Sequence, residues 1–211
     1  MIKAILGRKL GMTRIFAEDG SIVPVTVIEA GPCTITQIKT PERDGYSSLQ
    51  IGFGSRKAKN VTRPLKGHLD KAGKGYFQVL REVKVEDPSD YQLGQEIQPN
   101  EVFQVGENVD VIGKSKGKGY AGTIKRWGFQ SGPKAHGSKN IREPGSTGNA
   151  TYPGRVVKGR KLPGQLGNKN VTTLNLKILD LRPEENLLLL KGAVPGADNG
   201  ILYIRKTNRV R

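Results

Sequence analysis

Thiols, imidazoles and long apolar runs are all scarce in this sequence. Cys33 is the only cysteine, which excludes an internal disulfide and fits a reducing cytosol. The only histidines, His68 and His136, stand far apart, and with one cysteine they make no zinc ligand set. Acids are scattered, Glu184-Glu185 after Pro183 forming an ordinary exposed turn pair, so no nucleophile–base–orienter set emerges. No catalytic residue, metal or cofactor is therefore expected. The longest apolar run, Leu187 to Leu190, suits a buried strand and falls far short of the about 20 residues of a membrane helix. The opening MIKAILGRKLGM has only a short apolar stretch, interrupted by Lys3 and Gly7 and ending at Arg8, and does not read as a signal peptide. Hydrophobic residues make up 35% of 211, enough for a modest core in one large domain or two small ones.

The most telling scarcity is local. Between Gly113 and Asn170 there is one acid, Glu143, against thirteen lysines and arginines, a net charge of +12 where the whole chain carries +16. The same stretch holds thirteen glycines and no apolar run able to build a core. It also holds Trp127, Phe129 and Tyr152 together with Pro133, Pro144, Pro153 and Pro163, more than a plain spacer needs. This pattern predicts an arm that becomes ordered on a polyanion. A membrane surface would favour an amphipathic basic helix, which the glycines oppose; nucleic acid is the better partner.

Outside that stretch the chain reads as short strands separated by turns. Met12 to Phe16 and Val23 to Ala30 flank Glu18-Asp19-Gly20, a hairpin signal. In the second of these, Val23, Val25 and Val27 alternate with Pro24, Thr26 and Ile28, so at least one face is apolar. Gly31-Pro32 breaks the run; Thr34 to Lys39, Leu49 to Phe53, Phe77 to Val85 and Val109 to Ile112 follow as strands. Leu65 to Ala72 suits a short helix, with Pro64 in its first turn and Gly73 as its stop. Beyond the basic stretch come Val171 to Leu181, Leu187 to Leu190 and Ile201 to Ile204. Many short, closely spaced strands predict a mainly β protein with short helices and a barrel body. The body spans residues 1–112 and 171–211, and 113–170 interrupt it as a long, irregular, basic extension held at both ends.

Gly117 to Gly122 matches the G-x-G-x-x-G pattern formally, but no βαβ unit follows and the region where a ribose-binding acid would fall is basic. A nucleotide-dependent enzyme is accordingly the weakest alternative, behind a generic nucleic-acid-compacting protein. Alternating Gly and Lys instead lets backbone approach phosphates while ammonium groups neutralise them. Arg126, Arg142, Arg155 and Arg160 can fork onto phosphate or stack, whereas Lys114, Lys116, Lys118, Lys125, Lys139, Lys158 and Lys161 act as point charges. Such contacts fix position more than they read sequence. Six to ten of them would cost about three to five decades of affinity between 50 and 200 mM salt. Trp127 either packs against its own helical turn or stacks on RNA; His136 suits an RNA contact better than acid–base work, and His68 a local hydrogen bond or partial burial. The terminal RKTNRVR is either a solvated end or an auxiliary phosphate contact.

Five segments carry a family resemblance: GMTRIF, VTVIEAGPCTITQIKT, SKGKGYAGTIKRWGF, PGSTGNATYPGRVVKGRKLPGQLGNKNVT and ENLLLLKGAVPGA. Together they closely resemble the ribosomal protein L-three family of the bacterial large subunit, with spacing kept from end to end. The resemblance implies a barrel body of the kind shared with translation factors, seated on large-subunit rRNA near its 3′ region. It further implies an early role in assembly and an extension directed at the peptidyl-transferase centre. Lys116, Lys118, Lys125, Arg126 and Trp127 would contact RNA, and His136, Arg155, Lys158 and Lys161 match family positions. Ribosomal proteins L-fourteen and L-nineteen are the implied neighbours, and no homo-oligomer, membrane or small-molecule substrate is implied. Two positions depart from the pattern. Thr151 stands where some relatives carry a methylated glutamine, so no modification is expected. Glu143 places an acid where relatives often have histidine, and Arg142 is its nearest prospective partner.

Overall fold

A computed structural model of the chain describes residues 2–207. Twelve strands and four short α-helices follow in the order β1 (Ala4–Phe16), β2 (Ile22–Ala30), β3 (Cys33–Lys39), α1 (Pro41–Asp44), β4 (Ser48–Ser55), α2 (Arg63–Leu69), β5 (Phe77–Lys84), β6 (Glu96–Ile97), α3 (Pro99–Val102), β7 (Asn108–Lys114), β8 (Tyr120–Ala121), α4 (Thr123–Trp127), β9 (Gly164–Gln165), β10 (Asn170–Arg182), β11 (Leu187–Lys191) and β12 (Ile201–Lys206). By contacts the described chain divides into two compact units, one of residues 1–114 with 170–211 and one of residues 115–169. Residues 208–211 of the basic tail lie outside the described residues.

The larger unit is a closed antiparallel barrel in the order β1-β12-β7-β10-β11-β2, with a second sheet in the order β5-β4-β3-β6. Closure removes free edges but demands bent strands. Bulges between Lys9 and Gly11, Thr173 and Leu176, and Ile178 and Asp180 interrupt the registers of the long strands, and bulges of this kind bend a strand and add twist. The Asp19-Gly20 hairpin forms as expected: the Asp19 carboxylate accepts from Ser21 N at 3.0 Å and Ser21 Oγ at 2.7 Å, and Phe16 pairs with Ile22.

Barrel and sheet share one apolar core. Ile5, Leu6, Ile28, Val111 and Leu190 come from the barrel, and Ile35, Leu49, Ile51 and Phe53 from the sheet. Each such side chain is worth about 1.5–3 kcal/mol of burial. The core face of β2 differs from the valine alternation. Thr26, Ile28 and Ala30 are buried while Val23 and Val27 are only half-buried, although Val25 is buried too.

The opening of the chain also differs from expectation. β1 begins at Ala4, not Met12, and Ala4 to Arg8 pair with β12. Lys9 is itself buried, with its ammonium 3.8 Å from Asp198. α2 stops at Leu69, earlier than Ala72, and His68 Nε2 lies 2.6 Å from Gln50 Oε1, the local hydrogen bond its position suggested. The barrel ladder runs two residues past Ile112, and Lys114 pairs with Asn170. The smaller unit is therefore a connection between two antiparallel neighbours.

Candidate nucleic-acid interface

Two antiparallel stretches, 115–121 and 164–169, begin and end the smaller unit. Ser115 N donates to Lys169 O at 2.9 Å, Lys118 N to Leu166 O at 2.9 Å and Leu166 N to Gly119 O at 2.9 Å, and Tyr120 and Ala121 then pair with Gln165 and Gly164. The Ser115 hydroxyl adds a 3.1 Å bond to Lys169 O. Gly167 adopts φ +71°, and a Cβ there would run into the Lys116 carbonyl oxygen. This position requires glycine both for its backbone angle and for the close approach.

Beyond the stem, Thr123 to Trp127 form a single helical turn stopped by Gly128 in the left-handed region. The turn begins only at Thr123, because Tyr120 and Ala121 are taken by strand pairing. Trp127 Nε1 donates to Leu162 O at 2.9 Å, and Arg126 Nη1 donates to the same oxygen at 2.6 Å. The Arg126 guanidinium lies 5.0 Å from the indole centroid and Lys161 Nζ 6.0 Å from it. Trp127 thus ties its own turn to the returning chain, yet it stays 42% exposed, leaving ring surface for stacking. Leu162 enters through its carbonyl, a contact no side-chain pattern could reveal.

Two further loops are closed by polar bonds. Gly132 N donates to Ile141 O at 2.9 Å, enclosing Lys134, His136 and Lys139; a Cβ on Gly132 would meet the Asn140 carbonyl oxygen. Arg160 Nη2 donates to Ser146 O at 2.5 Å, drawing together the ends of the loop that carries Tyr152, 88% exposed, and Arg155.

Apolar burial contributes little here. Ala121 and Thr123 are the unit's only buried residues. Lys116, Lys118, Lys125, His136, Lys139, Arg142, Arg155, Lys158, Arg160 and Lys161 are all exposed, and Arg126 is half-buried. Lys114, also exposed, lies just outside this unit at the end of β7. Among the described residues none of these cations forms an ion pair. Glu143 does not pair with Arg142 either: both are exposed, and water outcompetes a bond between two flexible side chains. Of the expected contacts, Arg126, Trp127 and Arg160 are partly committed inside the unit through hydrogen bonds to carbonyls.

A closed barrel that carries, between two paired strands, a core-poor unit of unpaired cations defines a class of basic barrel protein with an inserted polar unit. Comparison with known proteins makes the class specific. The family model described as Ribosomal protein L3 matches residues 78–187, which include the entire inserted unit. The chain is 71% identical over 211 residues to the Large ribosomal subunit protein uL3 of Syntrophobacter fumaroxidans, covering 100% of both chains. It is 53% identical to that of Syntrophotalea carbinolica, with 100% of both covered. It is 54% identical to that of Syntrophus aciditrophicus, with 98% and 94% covered. The chain belongs to the ribosomal protein L3 family. Membership makes it a structural component of the large ribosomal subunit, at work in the ribosome in the cytoplasm, and not an enzyme.

Proposed function

We propose that the chain binds large-subunit rRNA, with the barrel as a fixed body and residues 113–170 as an arm that neutralises and fills packed RNA. One observation supports this most: the exposed, unpaired cations of a unit that has a single acid and two buried residues. Lys114, Lys116, Lys118, Lys125, Lys139, Lys158 and Lys161 supply point charges to phosphates; Arg142 and Arg155 supply forked donors. Arg126, Arg160 and Trp127 hold the arm's turns and offer their remaining surface, and His136 and Tyr152 offer rings to unstacked bases.

By family resemblance the RNA is the 3′ region of the 23S-type molecule, bound early in assembly. The arm then runs toward the peptidyl-transferase centre, beside ribosomal proteins L-fourteen and L-nineteen. Footprinting of large-subunit rRNA with the full chain and with an arm-deleted chain tests the proposal. Protections near the 3′ region that include arm-dependent nucleotides are expected. Equal affinity for structured rRNA and duplex DNA at fixed salt would instead favour a generic compacting protein.

A further inference from the structure

The second sheet covers the barrel wall only in part. Leu6 of β1, Tyr203 of β12 and Ile112 of β7 are register partners, one row across three barrel strands. Strand alternation puts this row on the face opposite the fully buried row of Ile5, Ile204 and Val111. Leu6 is buried, whereas Tyr203 and Ile112 are only half-buried, so the cover over this face gives out within the row. β5 is the outermost strand of the second sheet, and its Val79 and Arg81 line the space that is left.

That space is a cleft of about 610 Å³, inside the range of about 300–1,000 Å³ usual for small-molecule sites. Leu6, Val79, Ile112, Ile201 and Tyr203 give it apolar walls, and Arg81 and Lys114 bring two cations to them. Neither cation has a carboxylate partner among the described residues. The one carboxylate in the lining, Glu82, is already engaged: Lys39 Nζ lies 2.8 Å from Oε1, and Tyr46 OH donates to Oε2 at 2.9 Å. The Tyr203 hydroxyl has no hydrogen-bond partner among the described residues. Burial raises its pKa above the ordinary 10.0, so it stays a donor at neutral pH.

We infer that this cleft is a binding site for a small amphipathic anion, an apolar body carrying one carboxylate or phosphate group. Charge complementarity selects the sign: the guanidinium, the ammonium and the phenol all donate, and the only carboxylate is satisfied from elsewhere. The apolar walls select the rest of the ligand, since they reward a buried hydrocarbon or aromatic body and give nothing to a bare inorganic ion. A pocket that is mostly apolar with a few placed polar groups is the usual form of a small-molecule site. This site goes beyond rRNA binding and stands independently of it, sharing with the arm's proposed cations only Lys114.

Titration of the isotope-labelled full chain with naphthoate, followed by amide NMR, tests the site. Saturable shifts should concentrate in β5, at the end of β7 and at the start of β12. Two comparison compounds separate the parts of the claim: acetate carries the charge without the body, and naphthamide the body without the charge. Each should bind at least about tenfold more weakly than naphthoate. Arg81→Gln removes an exposed cation that no carboxylate pairs with, so the fold should hold while naphthoate affinity falls about tenfold. An acetate response equal to that of naphthoate, with shifts spread over the arm's cations, would show charge attraction alone and overturn the site. Naphthamide binding as tightly as naphthoate, shifts that never saturate, or an unchanged affinity in Arg81→Gln would each overturn it as well. None of these outcomes bears on rRNA binding, which footprinting reads separately.

Discussion

The two units use the same residues, lysine and arginine, in opposite ways. In the body half of the described cations outside the 55–74 connection between β4 and β5 are answered by acids. Lys39 reaches Glu82 at 2.8 Å, Lys206 reaches Glu107 at 2.9 Å, Lys3 reaches Glu86 at 2.7 Å and Arg205 reaches the buried Asp110 at 3.2 Å. In residues 115–169 the cations have no such answer, and backbone bonds, glycines and two arginine-to-carbonyl contacts give the chain its turns. The difference separates two sources of order. The body offsets its conformational entropy by apolar burial. The inserted unit faces about 1–2 kcal/mol of backbone entropy per residue with almost nothing buried, so under the proposed function the RNA that neutralises it would supply part of its order.

The strongest test removes one side of this comparison. Replacing residues 115–169 with a short glycine linker joins two residues that are already register partners, Lys114 and Asn170. The strand signal in circular dichroism should persist. The salt sensitivity of rRNA binding, about three to five decades between 50 and 200 mM for six to ten phosphate contacts, should shrink toward what the body alone supplies. Loss of the strand signal would show that the body depends on the insert.

A second test compares truncations. Leu190→Ala, deep in the barrel, should cost about 2–5 kcal/mol in denaturant unfolding, whereas Tyr152→Ala should stay within about 0.5 kcal/mol. Comparable losses would break the distinction between a buried and a polar-closed unit. Gly167→Ala is more local. Its strain at the stem should lower rRNA affinity while leaving the body's Tm in place, and a fall in Tm would mean the two units unfold together.

The smallest effect is one of pH. Hydrogen bonds from Lys39 first and Tyr46 second hold the Glu82 carboxyl below its ordinary 4.5. A depressed folded-state value stabilises the body above pH about 4.5, and that contribution is lost as pH falls through the folded value. Glu82→Gln should therefore flatten the acid side of a Tm-against-pH curve. An unchanged curve would show that this exposed pair contributes nothing measurable.

Where side-chain alternation met a buried face, the sequence was legible: the Asp19-Gly20 hairpin, the leucine run of β11 and the β-rich barrel all follow from pattern. Ala4 to Gly11 was not, because Gly7, Arg8 and Lys9 look like interruptions until Asp198, in the turn before β12, and Glu29, across from Arg8 on β2, supply partners. The arm's charge was plain, but its internal wiring was not, since Leu162, Ser146 and Ile141 act through carbonyl oxygens that every residue possesses. The cleft beside β5 escaped notice for a different reason. Its lining is drawn from strands scattered along the chain, β1, β5, β7 and β12, and only the fold brings them together.

The pairing of Lys114 with Asn170 has one further consequence. Because the barrel ladder itself brings the two ends together, the body sets the start and finish of the insert but places little demand on its length. Closing a flexible loop costs only about 0.6 kcal/mol more for each doubling of its residues. The barrel can therefore tolerate a longer or shorter excursion at nearly constant stability. Its extent is then free to match the depth of the RNA that the proposed function has it enter.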